Sequence, residues 1–286
     1  MTPFQLPFHR TTVTGTLYIV ATPIGNLEDI TLRARRILRE CDWIACEDTR
    51  QTRKLLEHLN ISRPLVSYYE HNEAGRAGEL VAKLEAGANV ALVSDAGTPL
   101  ISDPGYRVVT AAIDAGIPVV PIPGVTAAVS ALSASGLATD SFRFCGFLPA
   151  RTSQRRKMLE HLKQETCTLV FYETPHRILD ALKDVEAVMG SRPAVVAREL
   201  TKIHEEFLRG TAAQIRATLA GRPSVKGEIT LLIGKAEAAA GADDTPLEDA
   251  VRNAEEQGLS RMDAIKQVAK KRGLSKREVY RTITAE

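Results

Sequence analysis

From Gly15 to about Pro123, short β-branched apolar runs alternate with stretches in which apolar residues return every three or four positions, the order that builds βαβ units around a mainly parallel sheet. The runs TLYIVA, WIACE, LVSYY, NVALVSD and PVVPI are the expected strands. Ile30, Ala34, Ile37, Leu38 and Cys41 share one helical face, as do Leu80, Val81, Leu84 and Ala88, so both stretches read as crossover helices. The small-residue segment PIPGVTAAVSALSASG predicts a helix opened by Gly124 and closed by Gly136, and a domain junction falls there. Beyond it come FRFCGFLP, a basic helix from Arg151 to Lys163, a strand TLVFYE, a helix from about His176 to Met189, a strand AVVARE and a last strand EITLLIG. AEAAAGADDTP then reads as a linker, and PLEDAVRNAEEQG, SRMDAIKQVAKKRG and LSKREVYRTI as three helices. Ser260 is the expected cap of the second, and the third is entered through Gly273.

The expected fold class is therefore α/β: two α/β domains, 15–123 and 124–235, a linker 236–246 and a small helical, helix-turn-helix-like domain 247–286, preceded by a flexible lead-in 1–14. With 286 residues, 44% apolar, 25% charged and a formal charge of +2, the composition excludes a disulfide miniprotein and makes no global case for nucleic acid. Charge changes the picture only locally. Between Arg261 and Arg281 eight cations, Arg261, Lys266, Lys270, Lys271, Arg272, Lys276, Arg277 and Arg281, stand against only Asp263 and Glu278, so this tail is expected to contact nucleic acid. No apolar run approaches the ~20 residues of a membrane span, and MTPFQLPFHRTT lacks a signal core, so a cytoplasmic location without membrane contact is expected. Cys41, Cys46, Cys145 and Cys167 form no CxxC pair or cysteine-histidine cluster, and no metal is expected.

Neither GxGxxG nor GxxxxGK[ST] occurs. Instead the first strand runs into ATPIGNLEDIT, where Pro23 fixes a turn, Gly25 allows close approach and Thr31 caps a helix. More specific is SDAGTPLISDPG, residues 94–105, after the strand NVALV, at the sheet edge where open α/β folds bind ligands. Its two Asp, two Gly and two Pro make a rigid loop with Asp95 at the strand tip, and its lack of Lys or Arg suits a cationic or hydroxyl-rich ligand rather than a polyphosphate.

ATPIGNLEDIT, CEDTRQTRKLL, EHNE, SDAGTPLISDPG, PIPGVTAAVSAL, GFLP, YETPHR, ELTKIHEE and KGEITLLI follow one another in this order, and the set resembles the RNA-modifying branch of the tetrapyrrole (corrin/porphyrin) methylase family over residues 15–235. The family's Gly-Pro-rich first loop is reduced here to Thr22-Pro23-Ile24-Gly25-Asn26. The resemblance implies S-adenosylmethionine (SAM) in a cleft between the two α/β domains, a homodimer, and methyl transfer to the ribose 2'-hydroxyl of a cytidine in small-subunit ribosomal RNA, free or in the subunit. Residue by residue, it implies cofactor contacts from Pro23, Asp95, Ala96, Gly97, Ile101, Ser102, Thr126, Ala127, Phe171, Tyr172, Glu228 and Ile229.

A ribose hydroxyl is a poor nucleophile at neutral pH and needs a base or a cation for the developing alkoxide. The polar candidates are Glu47, Asp48, Arg50, His71, Glu73, Glu173, His176, Arg177, Glu199, Lys202 and Glu205. Glu173 and Arg177 are the first expectation for catalysis and Glu199 with Lys202 the second, each of that second pair expected to find partners elsewhere; Arg50, Lys266, Lys270, Lys271, Arg272, Lys276 and Arg277 are the expected RNA contacts. Two other readings stand beside this one: a tetrapyrrole-type small-molecule methylase, which needs no basic tail, and a SAM-sensing helix-turn-helix regulator.

Overall fold

The computed structural model describes residues 14–236, 245–272 and 274–284, and Lys271 by its backbone alone. Most of the expected lead-in and linker, together with Gly273, therefore lie outside the described residues. The chain divides into two compact units after Lys235.

The first unit holds two five-stranded sheets. In the first sheet, β1 (Leu17–Val20), β2 (Trp43–Cys46), β3 (Leu65–Ser67), β4 (Val90–Val93) and β5 (Val119–Ile122) are parallel in the order β3-β2-β4-β1-β5. The helices α1 (Leu32–Glu40) and α2 (Thr49–His58) pack on one face, where Ala34, Ile37, Leu38 and Leu56 meet Val20, Ile44 and Ala91. On the other face, α3 (Glu73–Glu85) and α4 (Tyr106–Asp114) bring Leu80, Leu84, Val108 and Ala112 against Leu17, Ala45 and Leu92. Crossovers leaving β1 and β4 therefore go to opposite faces, which makes the carboxyl ends of these neighbouring strands the switch point of the sheet.

Caps explain several helix starts. Thr31 accepts from the Ala34 amide (3.0 Å) and Asp48, rather than Thr49, caps α2 by accepting from the Arg50 amide (2.8 Å). The helix α3 ends at Glu85, so Ala88 lies beyond it.

The helix α5 (Ala127–Ser135) begins at Thr126, not at Gly124, and ends at left-handed Gly136. Gly124 serves close packing instead, since a Cβ there would stand 2.7 Å from the Ala21 methyl. The second sheet is mixed: β6 (Phe142–Phe147), β7 (Thr168–Glu173), β8 (Pro193–Arg198), β9 (Glu206–Thr211) and β10 (Ile229–Ile233) lie in the order β6-β7-β10-β8-β9. Only the β6–β7 pair is parallel. The pleat sorts its residues. Leu169, Phe171, Val196 and Leu231 face α6 (Thr152–Leu162), α7 (Ile178–Met189) and α8 (Ala212–Ala220), whereas Val170, Tyr172, Val195, Ala197 and Leu232 face α5 and Ile24.

The second unit contains α9 (Leu247–Glu256), α10 (Arg261–Arg272) and α11 (Lys276–Ile283) around Val251, Ile265, Val268 and Val279. Ser260 accepts from the Asp263 amide (3.3 Å), and Ser275 and Glu278 form a capping box.

Candidate functional site

Two loops leave the switch point, Ala21–Asn26 after β1 and Ser94–Gly105 after β4. They are stitched together by paired backbone hydrogen bonds between Thr22 and Gly97 (2.8 and 3.0 Å), and the Thr22 hydroxyl donates to the Ser94 carbonyl (3.1 Å). Gly97 has φ +87°, and a Cβ added to it would press within 3.3 Å of Ile24. Leu100 (φ 71°) and Ser102 (φ 67°) are left-handed without being glycine. The loop is held from behind, where Glu73 accepts from the Gly105 amide (2.7 Å) and the Tyr68 hydroxyl (3.1 Å).

The second sheet supplies the facing loop. After β8 the chain turns sharply through Glu199 (φ 52°) and Thr201 (φ 65°), so that Lys202 folds back onto Glu199. The Lys202 ammonium donates to Glu199 (2.9 Å) and Glu228 (3.0 Å). This corrects the expectation that Glu199 and Lys202 find separate partners: the segment is neither helix nor strand, and the tight turn brings i and i+3 together. Two glycines make room, because a Cβ on Gly25 would lie 2.4 Å from the Lys202 stem and one on Gly227 2.3 Å from Glu199. The Asn26 amide donates to Thr201 Oγ1 (3.0 Å), tying the two loops across the gap, and Glu205 accepts from the Thr201 amide (2.7 Å).

Between these loops lies a cavity of about 550 Å³. Its apolar wall includes Ile24, Ala96, Ala127, Phe147, Tyr172 and Leu200, and its polar wall includes Ser102, Asp103, Glu199, Lys202 and Glu228. Lys202 stays protonated: burial works against its charge, but the two carboxylates outweigh burial and raise its pKa. The hydrogen bond from Lys202 in turn lowers that of Glu199. Asp103 has no cationic partner among the described residues. Burial and the neighbouring Glu47 charge push its carboxyl up to about 6, with the Ser94 side chain opposing the rise.

Of the expected cofactor residues, Ala96, Gly97, Ile101, Ser102, Ala127, Tyr172, Glu228 and Ile229 line this cavity. Pro23, Thr126 and Asp95 do not, although their neighbours Ile24, Ala127 and Ala96 do. Asp95 is exposed and accepts from the Asp48 amide (3.1 Å). Phe171 is fully buried on the helical face of β7, because adjacent strand residues point to opposite sides.

The same pleat turns the side chain of the first catalytic candidate, Glu173, away from the cavity. Glu173 borders the cavity only through its main chain, since its side chain has no exposed surface. Its carboxylate accepts from the Thr174 amide (2.8 Å) and from Arg177 (3.3 Å), which also donates to the Leu148 carbonyl. Burial raises its pKa despite these partners. The two side chains are thus paired with each other, Glu173 buried and Arg177 outside the cavity lining. His71 and His176 are exposed and outside the cavity wall. Arg50 is exposed and paired with Asp48 (3.0 Å). In the tail, Lys266, Lys270, Lys276 and Arg277 are exposed, Arg272 is half-buried and donates to the Thr245 carbonyl, and the side chain of Lys271 lies outside the described residues.

Sequence reasoning missed Asp103, although SDAGTPLISDPG carries it as the second Asp, and missed the cavity residues Ile24 and Phe147. Among the described residues no group of His, Cys, Asp and Glu is placed to hold a metal, and no helix is long and apolar enough to cross a membrane.

The sequence profile described as Tetrapyrrole (Corrin/Porphyrin) Methylases matches residues 16–216. The chain is 50% identical over 272 residues to "Ribosomal RNA small subunit methyltransferase I" of Halalkalibacterium halodurans, covering 93% of each chain. It is 42% identical over 282 residues to the protein of the same name from Bacillus subtilis, covering 96% of each. Among solved structures, uroporphyrin-III C-methyl transferase from Thermus thermophilus complexed with S-adenyl homocysteine is similar in fold, with a TM-score of 0.55 at 19% identity over 78% of this chain and 98% of that one. A diphthine synthase reaches a TM-score of 0.60 at 14% identity, over 77% and 90%.

Proposed function

The chain belongs to the tetrapyrrole (corrin/porphyrin) methylases, and from that membership we propose that it transfers a methyl group from SAM to small-subunit ribosomal RNA. The observation that carries the RNA reading is the 50% identity, over nearly the whole of both chains, to a protein named for that substrate. A small-molecule methylase of the same fold would share the cavity, but the uroporphyrin-III C-methyl transferase above is only 19% identical to this chain.

The cavity suits the donor. About 550 Å³ accommodates a nucleoside-sized ligand, and Gly97 lets the backbone approach closely. An unpaired carboxylate, Asp103, and a single ammonium, Lys202, set against two carboxylates, Glu199 and Glu228, leave the wall with an excess of negative charge, which favours a ligand carrying positive charge. Ala96, Gly97, Ile101, Ser102, Ala127, Tyr172, Glu228 and Ile229 are the residues we assign to holding SAM. When bound, SAM supplies an electrophilic methyl on a sulfonium.

For the acceptor we propose a ribose 2'-hydroxyl, of a cytidine as the resemblance implies. Lys202 is the cation in the wall, fixed by two carboxylates and protonated at neutral pH, and so suited to stabilise a developing alkoxide rather than to remove its proton. Glu199 and Glu228 position it. Cytoplasmic action and a homodimer complete the proposal, supported by the ribosomal substrate and by family membership respectively.

The test is methyl transfer from labelled SAM to small subunits, and to their free RNA, from cells lacking this gene, followed by mass spectrometry of the nucleosides. Label on a cytidine ribose is the expected result. Label on a base would retain the RNA reading and overturn the ribose assignment, and label on neither form of RNA would overturn both.

A further inference from the structure

The two helical layers of the first sheet differ in charge. The layer of α1 and α2 carries Arg33, Arg35, Arg36, Arg39, Arg50, Arg53 and Lys54 against Glu40 and Glu57. The opposite layer, α3 and α4, carries Arg76, Lys83 and Arg107 against Glu73, Glu79, Glu85 and Asp114. The α3–α4 layer is therefore close to neutral, whereas the α1–α2 layer carries an excess of five cations.

Only two of its cations are paired with carboxylates among the described residues. Arg36 pairs with Glu40 and Arg50 with Asp48, both at exposed positions. The guanidinium groups of Arg33, Arg35 and Arg53 have no hydrogen-bond or ion-pair partner among the described residues, and Arg33, Arg36, Arg39, Arg53 and Lys54 are exposed. Arg33, Arg36 and Arg39 recur every third residue, a row about 9 Å long at the rise of an α-helix. The carbonyl of Arg39 accepts from Arg63 (2.8 Å), which brings one more guanidinium to the same edge.

Direction matters as much as charge. Helices that cross between parallel strands run antiparallel to them, so the first turns of α1 and α2 lie at the sheet edge from which the cavity loops emerge. Asp48, the cap of α2, touches that edge directly through Asp95. A chain of phosphates laid along α1 and α2 would lead towards the cavity, whereas one laid on α3 and α4 would meet carboxylates.

We propose that the α1–α2 layer is the docking surface for the sugar-phosphate backbone of the RNA substrate. The inference rests on the RNA reading above and adds where that RNA lies. A second copy of this chain is the poorer occupant, because two such layers related by a twofold axis would set unpaired arginines against one another.

The test uses the full-length chain with Arg33→Gln, Arg36→Gln and Arg53→Gln combined, which keeps helix propensity while removing charge. Binding to small-subunit RNA is measured across a salt series, alongside SAM affinity, thermal unfolding and light scattering. The expected result is a loss of RNA affinity of about tenfold or more, and a salt slope shallower by about 2. SAM affinity, unfolding and mass should be unchanged. The combined Arg76→Gln and Lys83→Gln control should bind RNA as the wild type does. Undiminished RNA affinity in the triple variant, while wild type methylates RNA, would overturn the docking surface alone. A wild type that neither binds nor methylates the RNA would overturn the surface and the RNA reading together, and a change of mass in the triple variant would assign the layer to contact between copies instead.

Discussion

Asp103 sets function against stability at a single residue. Its pKa in the fold, about 6, lies above the ordinary carboxylate value of 3.8, so the fold disfavours its charged form. Native protein therefore holds a proton that unfolded chain has lost between about pH 4 and 6, and stability falls as pH rises through that window. Asp103→Asn removes the charge, and the variant should melt higher than wild type at pH 7.5 but not at pH 4, as read by calorimetric scans. The same substitution should weaken SAM binding by about tenfold or more at pH 7 and flatten the wild-type gain in affinity between pH 5 and 7, measured by titration calorimetry. The negative charges of Glu47 and Asp95 bear on the same carboxyl and raise its pKa further. Lys202→Met should cost about 10²-fold in single-turnover methylation with both substrates saturating, because the alkoxide would lose its cation.

Strand and helix positions were mostly legible, and side-chain direction was not. TLVFYE is a strand in the sequence and in the structure, Thr168–Glu173, yet the segment alone placed Phe171, Tyr172 and Glu173 together at the site. Only alternation separates them, sending Tyr172 to the cavity and its two neighbours to the helical face. The strands β6 and β9 and the helix α8 escaped notice because FRFCGF and EFLRGT mix aromatic, charged and glycine positions without a clean period. The helix α6 read as a basic helix, but Arg155 within it is 2% exposed and held by Asp184 at 2.6 Å, with Arg156 on the other carboxylate oxygen at 2.7 Å. Burial works against the Asp184 charge, and the two guanidinium groups outweigh it and lower its pKa. Asp184→Ala would leave Arg155 buried and unpaired, and should destabilise the first unit by about 3–5 kcal/mol, seen as a lower urea midpoint at unchanged slope.

At the scale of the molecule, the basic tail drew attention in the sequence because its eight cations stand close together, whereas the α1–α2 layer is assembled from segments separated by β2 and shows itself only when folded. The tail has its own core and forms its own compact unit, so a chain ending at Lys235 should fold and bind SAM with wild-type affinity. If Lys266, Lys270, Lys276 and Arg277 touch phosphate, that shorter chain should also show a shallower salt dependence of RNA binding in filter assays. Equal slopes would leave RNA contact to the first unit.

The order of the second sheet governs how the protein comes into being. Its central strand, β10, is the last of the first unit to be synthesised, yet it separates β7 from β8 and carries the Glu228 and Ile229 end of the cavity wall. Until Ile233 leaves the ribosome, the β6–β7 and β8–β9 pairs have no shared partner and the wall stays open. Residues 236–286 are synthesised after β10, so β10 can insert while the chain is still tethered to the ribosome. Nascent chains stalled with residue 235 still inside the exit tunnel should not retain labelled SAM, and those stalled at residue 286 should.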